Sequence, residues 1–177
     1  MKRTWTSWLI WTLLAVSAAA GEPGATAEPA VETATFSMYC YWTGEATLGR
    51  VDGVLASRIG HWGGREIVQV DYDPARTDVG ELTRALKRQR SFYSLVVAAE
   101  GRPPAGELAP EEVTVLDGRP RFIAAKHSLR TRHPGLLALG LSERQAIALN
   151  SWSYFGGPMP DVLTEEQKRR LGDRAGR

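Results

Sequence analysis

ETATFSMYCYWTGEATLGRVDGVLASRIGHWGGREIVQVDYDP, residues 32–74, is the stretch on which the fold turns. Its first seven residues alternate β-formers with small residues and predict a strand over 32–38. The next segment, 43–51, predicts a helix with Thr43 at its N-cap. Residues 54–60 predict a second strand, and Gly63-Gly64 a turn. EIVQVDY, 66–72, alternates strictly and predicts a third strand, closed by Asp73-Pro74. Further on, Asp78 with Glu81 three residues later is a capping box, and Leu82, Ala85 and Leu86 form the apolar stripe of a second helix. SLVVA, 94–98, predicts a fourth strand. The order β-α-β-β-α-β is that of a ferredoxin-like two-layer sandwich, so the fold class read from the sequence is α+β, with a ferredoxin-like domain over 32–99.

Upstream, Met1-Lys2-Arg3 precedes the apolar run WLIWTLLAVSAAA, 8–20. A basic start, an apolar run and small residues at its end are the pattern of a secretory signal peptide, with cleavage expected after Ala20. The run is shorter than the ~20 residues that span a bilayer. The expected localisation is therefore exported, periplasmic or secreted, with no membrane span in the mature chain. Residues 21–31 read as a flexible leader. The whole chain carries 22 Lys+Arg against 20 Asp+Glu. Without Lys2 and Arg3 the balance is 20 against 20, so no bulk charge points to nucleic acid or an anionic membrane.

Downstream, 100–111 is rich in Gly, Pro and Glu and reads as a loop. VTVLDGRPRFI, 113–123, predicts a hairpin around Asp117-Gly118. Ser142 with Gln145 opens another helix, stopped by Gly156-Gly157-Pro158, and Thr164 with Gln167 opens a last short one. Residues 100–171 are thus expected as a hairpin and helices packing on the first domain, and 172–177 as a frayed tail. Arg119, Arg121, Lys126, Arg130 and Arg132 read as a solvated basic face. Trp152, Tyr154 and Phe155 read as packing at a helix end.

Cys40 is the chain's single cysteine, so no internal disulfide framework is possible among these residues. It falls between the first strand and the first helix, where backbone N–H groups and the helix dipole favour an anion and make a thiol more nucleophilic. Aromatic residues and a carboxylate surround it in sequence. His61, His127 and His133 show no metal-ligand spacing, and no metal site is read. His61, in the Gly-rich turn, reads first as a surface histidine, with an approach to Cys40 as the alternative.

Tyr39-Cys40-Tyr41-Trp42-Thr43-Gly44-Glu45 resembles the Gly-Cys-Phe-Trp-x-x-Glu motif of A-type peptide methionine sulfoxide reductases. The resemblance continues through Val51-Asp52-Gly53-Val54, Gly60-His61-Trp62-Gly63-Gly64, Glu66-Ile67-Val68 and Val70-Asp71-Tyr72-Asp73-Pro74, and covers roughly 34–90. It implies that the Cys40 thiolate attacks a sulfoxide sulfur and that Glu66 protonates the departing oxygen. It implies that Tyr41 and Trp42 hold the S-methyl group, with Trp42 and Trp62 as apolar walls beside Glu66. Glu45 matches the motif glutamate and is expected in the first helical turn, favourable to the dipole. No cofactor is implied. The sulfenic acid left on Cys40 needs an external thiol reductant, thioredoxin-like or small. The implied substrate is a methionine sulfoxide-containing peptide or small sulfoxide. The family's long insertion before the catalytic glutamate, its downstream Gly-x-Asp-x-Gly-x-Gln-Tyr-Arg-Ser segment and a resolving cysteine have no counterpart here.

Two other readings fit the same residues. Met38-Tyr39-Cys40 matches half of the Met-x-Cys-x-x-Cys loop of heavy-metal-associated domains, but Thr43 stands where the second Cu(I) ligand would be. A non-catalytic binding module on the same fold is the third.

Overall fold

The computed structural model of the chain describes residues 30–98 and 108–175. The expected signal peptide and cleavage site, and the leader up to residue 29, lie outside the described residues.

β1 (Glu32–Met38) is the centre of the sheet. Its alternation sends Ala34, Phe36 and Met38 into the main core, while Thr35 and Ser37 are buried on the other face. On one side it pairs antiparallel with β3 (Arg65–Tyr72), and on the other with β4 (Phe92–Ala98). β3 in turn pairs antiparallel with β2 (Val54–Trp62). The β2–β3 turn uses Gly63 and Gly64, both at positive φ, the conformation that two-residue hairpin turns demand.

Two helices cover one face of this four-strand core. α1 (Tyr41–Leu48) and α2 (Val79–Arg88) bury Leu48, Leu82 and Leu86 against Phe36, Val68, Val70 and Leu95. Each fully buried side chain of this size contributes about 1.5–3 kcal/mol. At the start of α2 the Asp78 carboxylate accepts the Glu81 backbone N–H at 2.7 Å, the first half of the expected capping box.

The expected hairpin does not form. β5 (Val113–Leu116) adds in parallel to β4, and β6 (Arg121–Ile123) adds antiparallel to β2, giving the order β5-β4-β1-β3-β2-β6. The two short strands thus close opposite edges. The reason lies on the face away from α1 and α2, where Trp62, Ile67 and Val96 form an apolar cluster joined by Ala98 and Leu116. The link between β5 and β6 runs to this cluster, where the Asp117 carbonyl accepts the Trp62 indole N–H at 2.8 Å. Burying that cluster and capping two open edges outweighs one four-residue turn.

The remaining helices are α3 (His127–Arg132), α4 (Pro134–Leu137), α5 (Glu143–Phe155) and α6 (Glu165–Ala175). They enclose a second core of Leu129, Leu136, Leu139, Leu149 and Leu163. The expected capping box at Ser142/Gln145 forms, and Thr164 and Gln167 make the same reciprocal pair at the next helix. The two capping glutamines also bond each other, Gln145 Nε2 to Gln167 Oε1 at 2.8 Å. α6 continues past Leu171 to Ala175, where a frayed tail was expected. Its sides carry ion pairs at i,i+3, and Arg170 donates to the Ala138 and Leu139 carbonyls.

α5 lies against α1. A Cβ on Gly49 would stand 2.5 Å from Ser151 Oγ and 3.0 Å from the Ile147 carbonyl oxygen. Ser151 Oγ donates to the Ala46 carbonyl across the same contact. The C-terminal region is therefore built into the sheet edges and the helical layer.

Candidate active site

Cys40 is where the chain leaves β1 and enters α1. It is the N-cap residue, extended at φ −147° and ψ 114°. Helix initiation thus falls three residues before the expected Thr43. The Cys40 carbonyl accepts the Gly44 N–H at 3.1 Å and the Ser91 hydroxyl at 3.3 Å. Thr43 is inside the helix, and its hydroxyl is 2.6 Å from the Tyr154 hydroxyl of α5. The Cys40 side chain is half-buried.

Cys40 offers no hydroxyl or carboxylate to cap the helix, and that cap comes from β3. Glu66 stands in register between Met38 of β1 and His61 of β2. Its Oε2 accepts the Tyr41 backbone N–H at 2.8 Å. A strand carboxylate thereby satisfies the first free N–H of α1, and it sits one residue from the cysteine.

Tyr41 and Trp42 follow directly. Their rings meet edge-on with centroids 5.7 Å apart. Tyr41 also meets the His61 imidazole edge-on at 5.5 Å; His61 is a strand residue of β2 and not a turn residue. Trp42 remains 39% exposed. Its indole stacks on His127 of α3, with centroids 3.8 Å apart and planes 6° apart. Beside them Tyr39, 69% exposed, meets Tyr93 edge-on at 5.4 Å.

Two expected site residues lie elsewhere. Trp62 does not wall Glu66. It alternates to the far face of the sheet and packs with Ile67 and Val96. Glu45 is not in the first turn of α1. With helix start at Tyr41 it falls one turn in and points inward, 1% exposed. Its Oε1 accepts the Ser57 hydroxyl at 3.0 Å, and its Oε2 accepts the Lys126 backbone N–H at 2.8 Å and Asn150 Nδ2 at 3.3 Å. Lys126 Nζ stands 3.6 Å away. Burial raises the Glu45 carboxyl above its ordinary value, and the Lys126 charge and these hydrogen bonds oppose that rise.

Lys126 is thus no part of a solvated basic face. It is 5% exposed, and its ammonium donates to the Ser57 carbonyl at 2.7 Å, the Ser57 hydroxyl at 3.2 Å and Glu143 at 2.9 Å. Arg119, Arg121, Arg130 and Arg132 are exposed, with one Arg132 nitrogen donating to the Ser153 carbonyl. Lys126, His127 and Asn150 escaped the sequence reading because Glu45 meets partners 81 and 105 residues away, and nothing local marks such pairs.

Two cavities open away from Cys40. One of about 670 Å³ lies between the end of α1 and the start of α5, lined by Arg50, Val51, Arg144 and Ile147 among others. The other, about 560 Å³, is lined by Ser57, Arg58, Lys126 and Glu143. Among the described residues, no three or more His, Cys, Asp or Glu side chains gather to hold a metal ion, and no helix is long and apolar enough to cross a membrane.

Cys40, Glu66, Tyr41 and Trp42 are therefore together at one helix start. Known proteins carry a related sequence. The chain is 38% identical over 73 residues to the peptide methionine sulfoxide reductase MsrA of Geobacter metallireducens, covering 32% of this chain and 45% of that protein. It is 35% identical over 63 residues to the peptide methionine sulfoxide reductase of Drosophila melanogaster, covering 28% and 26%. Part of this chain is similar to peptide methionine sulfoxide reductases. It spans less than half the length of either reductase. No family model matches the chain.

Proposed function

We infer that the protein is a thiol-dependent reductase of methyl sulfoxides, with Cys40 as nucleophile and Glu66 as proton donor. The observation that carries this reading is the bond from Glu66 to the Tyr41 N–H, which sets a carboxylate beside the single cysteine in a stretch similar to the reductases. The Cys40 thiolate attacks the sulfoxide sulfur, and Glu66 delivers a proton to the oxygen as it transfers. The sulfide leaves and Cys40 is a sulfenic acid. One external thiol condenses with it, releasing water and forming a mixed disulfide. A second thiol releases the Cys40 thiol and an external disulfide. Two thiols and one sulfoxide thus give one disulfide, one sulfide and water, and no cofactor enters.

Tyr41 and Trp42 are the surfaces for the S-methyl group, since thioethers and aromatic rings attract. The substrate class is a methionine sulfoxide in a peptide, or a small methyl sulfoxide. The inner strand order β4-β1-β3-β2 supports a ferredoxin-like core. The basic start and apolar run of 1–20 support export, with the reductant found in the same compartment.

The test is turnover of N-acetylmethionine sulfoxide with dithiothreitol. Wild type is expected to reduce it, Cys40→Ser to lose all activity with its fold intact, and mild peroxide to leave one dimedone-reactive site at Cys40. Turnover persisting in Cys40→Ser, or none in wild type, overturns the reading.

A further inference from the structure

We propose that His127 is a positioning residue for this site, and that its imidazole holds the Trp42 indole as the wall against which the S-methyl group rests. The inference rests on the sulfoxide reading above.

The stack at 3.8 Å and 6° covers one face of the indole. Tyr41 meets the same indole edge-on. The surface still open belongs to a ring held from two directions, although Trp42 is 39% exposed. An exposed indole without such support samples several rotamers and must be ordered by the ligand.

His127 is itself placed with unusual care. Lys126, the residue before it, is left-handed at φ 60° and ψ 45°. That conformation is strained for a residue with a side chain and persists only where its surroundings over-determine it. Here they do. The Lys126 backbone N–H is held by buried Glu45, and its ammonium by Ser57 and Glu143. The turn so fixed starts α3 at His127 and brings the imidazole onto Trp42. Glu45 belongs to the same helix as Trp42, so the middle of α1 anchors the turn whose next residue, His127, braces its start.

The test uses the full chain with His127→Ala and His127→Phe, the second keeping a flat ring that can stack. In turnover, His127→Ala is expected to raise KM for N-acetylmethionine sulfoxide about two- to tenfold, the cost of one immobilised side chain. Its kcat should stay close to wild type, because Cys40 and Glu66 are untouched. His127→Phe should restore KM. Catalysis is removed from the question by repeating both substitutions in Cys40→Ser and following the Trp42 indole N–H resonance as the same sulfoxide is titrated. Binding should weaken by the same factor in His127→Ala and recover in His127→Phe. Unchanged binding and KM in His127→Ala, a fall in kcat alone, or no recovery with phenylalanine overturns the proposal. Absence of wild-type turnover alongside binding that depends on His127 removes the catalytic reading and leaves the positioning role standing. Absence of any binding in Cys40→Ser removes the positioning role.

Discussion

Glu66 has two tasks at one atom pair. Its Oε2 closes the start of α1 through the Tyr41 N–H, and its carboxyl is the acid of the proposed step. The two can be separated chemically. A glutamine side chain still offers a carbonyl oxygen to the Tyr41 N–H but has no acidic proton. Glu66→Gln is therefore expected to fold normally and to lower sulfoxide turnover about 10²- to 10⁴-fold, the usual worth of a general acid. Iodoacetamide labelling of Cys40 should slow far less, since alkylation needs no proton donor. Steady-state kinetics and a labelling time course on the same preparation decide it. Full turnover in Glu66→Gln would remove the acid from the mechanism. Trp62, read from the sequence as part of this environment, has no such influence here, because strand alternation carries it to the opposite face.

At the scale of elements, what the sequence disclosed follows a physical division. β1 and β3 were legible through alternation and β4 through its short apolar run, while Gly63-Gly64 and Asp73-Pro74 marked the ends of β2 and β3. α2 and α5 announced themselves through caps. The first turn of α1 was not legible at Cys40, since its cap is Glu66 from another strand. β5 and β6 read as a hairpin because Asp117-Gly118 is good turn chemistry, yet two open edges and the Trp62 cluster drew them apart. The α1–α5 contact was also hidden. Gly49 sits at φ −65°, a conformation any residue adopts, so its lack of a side chain serves only the close approach of α5. Gly49→Ala should thus destabilise the protein by about 1–3 kcal/mol, the cost of overpacking, although alanine is the better helix former. Urea unfolding measures this. A neutral or stabilising effect would mean that the two helices separate freely.

Across the whole molecule, the Glu45–Lys126 pair ties α1 to the start of α3, with Ser57 of β2 and Asn150 of α5 completing the set. Its dependence on pH has a definite sign. Burial raises the Glu45 carboxyl above its ordinary 4.5. A group raised in the fold holds its proton more tightly there than in the unfolded chain. Its contribution to stability is full at acid pH and is lost as pH rises through the folded value. Lys126→Met removes the charge that opposes this rise but keeps the backbone N–H to Glu45. Glu45 then moves further up, and wherever it is ionised it is a buried carboxylate without a counter-ion. Glu143 also loses a partner, but its side chain is 65% exposed, so water replaces that interaction at little cost. The variant should be less stable by about 3–5 kcal/mol near neutral pH, and the deficit should shrink as pH falls and Glu45 takes up its proton. Adding Glu45→Gln to the same chain should flatten the pH dependence, because no titrating group then remains at that position. Urea unfolding of wild type, Lys126→Met and the double variant across pH 5 to 8 reads all three expectations. A deficit that stays constant with pH would show that Lys126 acts through its packed stem and its bonds to Ser57, and that its charge does not bear on Glu45.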